Sequence, residues 1–179
     1  VSPAAEGTRA AATPWPVTQI SVWNDTGYGT AVTDAMGAWN GVGTKIALVP
    51  ARSRAGARVV VGYLTGGKRT GEVGRGTLGW SPGGRGEVSI ASGLSRRAAT
   101  VVAAHELGHV LGLDHTTLAC SIMAPVVVGD GPTGSTTCGL ARCVRLAGCL
   151  VQPRDAADLR SLYEERLPTL RPLPVSRAV

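Results

Sequence analysis

Phenylalanine is absent from the 179 residues, and tyrosine and tryptophan together bring the aromatic share to only 4%. The core of such a chain must rest on Val, Leu, Ile and Ala, with a few Trp as large anchors. Lysine is nearly missing too: Lys45 and Lys68 are the only two, so arginine carries the net charge of +6. The arginines are scattered and not interleaved with aromatics, which argues against a nucleic-acid surface and for a solvated basic one. No apolar run approaches the roughly 18 residues of a membrane span. The 25 glycines lack the third-residue period of collagen, and 44% hydrophobic against 17% charged residues excludes wholesale disorder. One folded domain with a real core is what remains.

Cysteine is missing before position 120, and the four present, Cys120, Cys138, Cys143 and Cys149, lie close together. An even number in one loop-rich stretch reads as two local disulfides and an oxidising compartment. A zinc site of four thiolates is the competing reading, and the absence of Cys-x-x-Cys knuckles favours disulfides over it. Three pairings are possible. Cys120–Cys149 with Cys138–Cys143 is favoured, because the outer bond would tether the Met123 segment to the start of the last helix. The sequence opens at Val1 without a charged-then-apolar leader. A start without Met is expected of a processed, secreted chain, and a trimmed boundary would look the same.

Residues 1–16 are rich in Ala, Pro, Ser, Thr and Gly and read as a loose leader; residues 17–166 read as the folded domain. Residues 126–152 form a disulfide-bearing insertion within it, and 167–179 a Pro-punctuated tail. Ile20–Trp23 alternates like a strand, and Ala31–Trp39 places Val32, Ala35, Met36 and Trp39 at helical spacing. Ile46–Val49, Val59–Tyr63, Thr77–Trp80 and Glu87–Ile90 read as further strands, and Gly66–Arg75 as a loop. Ser95 is a good N-cap for a helix running to Leu111, with Gly112 placed to end it. A last helix is expected over Ala156–Glu165, with Leu159, Leu162 and Tyr163 as its apolar stripe.

Histidine is scarce as well, with three in the whole chain, and all three fall in the run His-Glu-Leu-Gly-His-Val-Leu-Gly-Leu-Asp-His from His105 to His115. On a helix, His105 and His109 lie one turn apart on one face, so both imidazoles can reach one metal ion. Glu106 is rotated by about 100° and can face a water there without being a ligand. Gly112 permits the bend that returns His115 to the same point. Three neutral nitrogens with an open fourth position are the pattern of catalytic, not structural, zinc. Asp114 either orients this turn or is a solvated loop residue.

The eleven residues match the zinc signature of the metzincin metalloproteases, and Ser121-Ile122-Met123-Ala124-Pro125 resembles the Met-containing turn of that clan. The Ala-x-x-Ala-Trp39 helix, Thr77-Leu78-Gly79-Trp80 followed by Gly86–Ile90, and Asp155-Ala-Ala-Asp158-Leu-x-x-Leu-Tyr163 are similar to matrixin catalytic domains, over about residues 16–165. With the Arg-rich, Lys-poor composition, the resemblance implies a bacterial member. It implies an α+β, zincin-like single domain: a twisted, mostly parallel five-stranded sheet with an antiparallel edge strand, about three helices, and a zinc cleft below the edge strand. It also implies one catalytic Zn2+ on His105, His109 and His115, Glu106 as general base, and Met123 beneath the metal.

The chain departs from animal matrixins in having no further His for a second zinc and no Cys before position 120 for an inhibitory segment. Asp25, Asp34, Glu72, Glu87 and Asp130 offer oxygens to Ca2+, but no calcium-loop pattern joins them. The expected function is a secreted, monomeric zinc endopeptidase acting on protein or peptide substrate, with no nucleic acid partner and no membrane span. Thr77, Leu78, Gly79 and Trp80 would pair with an extended substrate, or form a plain surface strand. Val102, Pro125, Val126 and Val127 would shape a hydrophobic pocket for the residue after the cleaved bond, or the valines merely pack. The alternative function is a zinc-containing, non-catalytic peptide-binding module; a basic protein acting on anionic polymer is weaker still.

Overall fold

The computed structural model describes residues 12–65, 71–118, 121–125 and 150–164. Its strands are β1 (Gln19–Asn24), β2 (Ala47–Pro50), β3 (Val59–Tyr63), β4 (Gly74–Gly76) and β5 (Gly86–Ile90), and its helices α1 (Gly29–Asn40), α2 (Arg96–Val110) and α3 (Pro153–Glu164). They form one sheet in the order β2-β1-β3-β5-β4. The first four run parallel, and β4 alone is antiparallel, pairing Arg75 with Ser89 of β5.

Side-chain pattern explains the order. The successive valines of β3, Val59, Val60 and Val61, are all buried, as befits an interior parallel strand. At the β2 edge, the Asn40 amide donates to the Leu48 carbonyl (2.9 Å) and accepts from the Leu48 N–H (2.8 Å). That pair occupies backbone groups which would otherwise be open to strand pairing.

Helix α1 buries Val32, Ala35, Met36 and Trp39, and the Trp39 indole N–H donates to Ala104 O at 2.8 Å, joining it to α2. Ser95 caps α2 by accepting from the Ala98 N–H (3.2 Å). Every residue of α2 from Ala98 to Val110 is buried, so this helix runs through the core rather than along the surface. Its alanines let neighbours approach closely, which suits a chain with so few large aromatics.

Two expectations are corrected. The edge strand is Gly74–Gly76, which begins inside the Gly66–Arg75 stretch read as a loop; Thr77–Trp80 is not a strand. Three residues flanked by glycine carry no apolar alternation, so the pairing with β5 was silent in the pattern. The packed body also begins before residue 17, since Trp15 is 5% exposed and its indole N–H donates to Val110 O at 2.7 Å. Cys120, Cys138, Cys143, Cys149, Val126, Val127, Asp130 and the 167–179 tail lie outside the described residues.

Ile20 sits at 0% exposure in the middle of the sheet. Ile20→Ala should lower unfolding stability by roughly 3 kcal/mol through lost burial and the cavity left behind, read as a fall in the urea midpoint with an unchanged slope.

Candidate metal centre

Helix α2 projects His105 and His109 from adjacent turns, both nearly buried. Beyond Val110 the chain reverses at Gly112, whose φ of 101° is a left-handed conformation that glycine adopts readily. The arc returns His115, which is exposed, to the helix. The three Nε2 atoms then lie 3.1 Å from one another in every pairing. Among the described residues this is the group of His, Cys, Asp and Glu side chains placed to hold a metal ion.

The opposite ring nitrogens explain the convergence. His105 Nδ1 lies 2.7 Å from Ile122 O, and His109 Nδ1 lies 2.8 Å from Leu113 O. A carbonyl only accepts, so Nδ1 carries the proton in both rings and the Nε2 lone pairs face the common point. Burial, aided by the neighbouring histidines, lowers His105 to about 4, so its ring is neutral, as a ligand must be. Nitrogens 3.1 Å apart are closer than twice a Zn–N bond of about 2.0–2.1 Å, so one ion can reach all three. The donor set fits zinc.

Glu106 lies in the same cleft, 6% exposed. Burial, then the charge of Glu72, pushes its carboxyl up to about 8 against the opposing effect of Arg75. The cleft has a volume of about 370 Å³; Glu72, Gly74, Arg75 and Gly76 form its upper rim, with Val102 and Pro125 among the residues below. Arg75 donates to both carboxylate oxygens of Glu72, at 3.0 and 2.8 Å. The glycines matter sterically. A Cβ at Gly74 would come within 2.6 Å of Val102 Cγ1, and one at Gly76 within 2.6 Å of the Glu106 carbonyl.

Met123 packs against Gly108 of α2; a Cβ at Gly108 would strike the Met123 sulfur and come within 2.9 Å of Trp39. The turn bearing Met123 is held by Asp155, 2% exposed, in the first turn of α3. Its carboxylate accepts from the Ser121 hydroxyl, from Ile122 N–H (3.1 Å) and from Gln152 N–H (3.0 Å). Ile122 O receives His105 Nδ1, so a single residue, Ile122, links the two, its N–H on Asp155 and its carbonyl on the ligand ring. Asp155 was visible in the sequence only as the start of a helix; its long-range partners carry no local signal.

The structure brings His105, His109, His115, Glu106, Val102 and Pro125 to one cleft, and sets Met123 against Gly108 of the helix that carries two of the histidines. It does not bring Thr77, Leu78, Gly79 or Trp80 to line that cleft. Their backbone is turned inward: Thr77 N–H donates to Glu87 O (2.9 Å), Gly79 N–H to His109 O (2.8 Å) and Trp80 N–H to Thr13 O (2.7 Å). Asp25, Asp34 and Glu72, considered above for calcium, belong to three separate ion pairs with Arg54, Arg96 and Arg75.

Residues 91–136 match the Matrixin family, Peptidase M10. Over 71 residues the chain is 32% identical to human Matrix metalloproteinase-19 and 34% identical to its counterpart from Mus musculus. Each match covers 40% of this chain and 11% of the relative. The chain thus spans about a tenth of the length of these relatives, and residues 91–136 carry the matrixin-like segment.

Asp155→Ala should cost roughly 3 kcal/mol, because three donors lose a buried charged acceptor at once. The same variant should weaken zinc uptake, measured by competition with a chromophoric chelator. Unchanged affinity would mean that the Asp155 contacts do not govern His105.

Proposed function

Taking as premise a matrix-metalloprotease-like segment set in a zincin-like fold, we propose that this protein is a secreted zinc-dependent endopeptidase. The observation that carries the reading is the convergence of three imidazole nitrogens beside a buried carboxylate in an open cleft. His105, His109 and His115 would hold the ion, and bound zinc supplies the Lewis acidity that activates water and polarises a carbonyl. Glu106 accepts the proton of the attacking water at its carboxylate and returns it to the leaving amine. Met123 and Gly108 support the floor on which the ligands rest.

The rim favours an extended substrate. Val73 O receives Ala91 N–H and Thr77 N–H reaches Glu87 O, so alternate residues of this segment direct their backbone toward β5. Gly74 and Gly76, lying between, turn theirs to the open edge above the cleft. A peptide can add there as a further strand, which assigns substrate pairing to Gly74–Gly76 in place of Thr77–Trp80. Val102 and Pro125 make the adjoining wall apolar, which supports a Leu-like preference for the residue after the cleaved bond.

Cleavage of casein and of a peptide library tests this. A chelator should abolish cleavage and zinc should restore it, with apolar residues enriched after the scissile bond. Glu106→Ala should retain zinc and lose at least about 100-fold in rate. Cleavage at the parent rate by that variant would overturn the general-base role. Peptides bound but left intact by the zinc-loaded parent would instead make the chain a binding module.

A further inference from the structure

The arc that delivers His115 starts from the last carbonyls of α2, and these have an unusual set of partners. Leu107 O accepts from Leu111 N–H (2.9 Å), Gly108 O from Leu113 N–H (3.0 Å), and His109 O from Gly112 N–H (2.8 Å). The next two carbonyls are held by side chains from opposite ends of the chain. Val110 O receives the Trp15 indole N–H at 2.7 Å, and Leu111 O receives the Tyr163 hydroxyl at 2.8 Å. Tyr163 Oη in turn accepts the Trp15 backbone N–H at 3.4 Å.

A peptide plane contains one carbonyl and the next N–H. The plane joining Val110 to Leu111 is therefore gripped on both edges, by Trp15 and by Leu107 O. The plane joining Leu111 to Gly112 is gripped likewise, by Tyr163 and by His109 O. These are the two planes immediately before the left-handed Gly112, where a small rotation displaces everything downstream. The far end of the arc is tied separately, by Thr116 N–H to Met123 O at 3.1 Å. Neither Trp15 nor Tyr163 lines the metal cleft.

We propose that Trp15 and Tyr163 are positioning residues for His115, acting through the orientation of the two peptide planes that precede Gly112. The proposal rests on the reading of the three histidines as metal ligands. Leu162 reinforces it from the same helix, since a Cβ on Gly112 would come within 2.8 Å of Leu162 Cδ2. Burial raises the Tyr163 phenol to about 12, so the hydroxyl remains a donor across the working pH range.

The test compares Trp15→Phe and Tyr163→Phe with Tyr28→Phe. The last removes a hydroxyl that bonds Ala91 O (3.1 Å) and Leu94 N–H (2.8 Å), remote from the arc. Three readouts are taken: zinc release to a chelator, the visible spectrum of the Co2+-substituted protein, and amide exchange at residues 113–116 without metal. Trp15→Phe and Tyr163→Phe should each release zinc about tenfold faster, the lower end of what groups orienting metal ligands contribute. Both should shift the cobalt spectrum and speed exchange in the arc, while Tyr28→Phe lowers only the melting temperature. If the two folded variants match Tyr28→Phe in all three readouts, the bonds are scaffold and the proposal falls; either variant alone suffices should the other not fold. A parent that takes up no zinc defeats the metal-centre reading instead, and exchange at 113–116 still decides the positioning claim.

Discussion

Two hydrogen bonds, from His105 Nδ1 to Ile122 O and from His109 Nδ1 to Leu113 O, set the conditions for the rest of the molecule. They fix the tautomers, and the tautomers aim the lone pairs at a shared point. The lone pairs on His105 Nε2 and His109 Nε2, nitrogens 3.1 Å apart, repel one another without a cation between them. The surrounding structure must therefore hold them there in advance. One acceptor lies four residues beyond its histidine, in the post-helix turn; the other lies seventeen beyond, in the turn of Met123. Both turns need anchors of their own.

Those anchors come from distant parts of the chain. Asp155 holds the N–H of Ile122, and Trp15 and Tyr163 hold the carbonyls of the two planes before Gly112. Among the described residues no buried side-chain nitrogen or oxygen lacks a partner. That completeness matters because a buried polar group left unpaired costs as much as a good core contact contributes. Helix α3 thus serves the cleft at both ends, with Asp155 in its first turn and Tyr163 in its last.

Close approach is the second constraint. Gly74, Gly76 and Gly108 each stand where a methyl group would collide with the metal helix or with Met123. The sheet edge can therefore lie directly over Glu106, which removes that carboxylate from water and raises its proton affinity. The Glu72–Arg75 pair closes the rim without adding net charge. A chain poor in aromatics and rich in Ala and Gly suits such packing, with Trp15 and Trp39 spending their indole N–H groups on α2 carbonyls.

Much of the centre was legible in the one-dimensional pattern. His105, Glu106, His109, Gly112 and His115 act within a single helix and its exit turn, where helical periodicity and glycine's left-handed conformation translate spacing directly into direction. The strands β1, β3 and β5 and the three helices were readable too: β1, β5, α1 and α3 from their apolar periods, β3 from its run of valines, and α2 from the Ser95 cap and the Gly112 stop. The edge strand was misplaced because Gly-Arg-Gly has no period to read. Only the tertiary structure decided that Gly74–Gly76 and not Thr77–Trp80 borders the cleft, that Asp155 holds the ligand turn, and that Trp15 reaches Val110. The last two contacts join residues 33 and 95 positions apart, and which distant segments meet is settled by the burial of the whole core, not by any short stretch of chain.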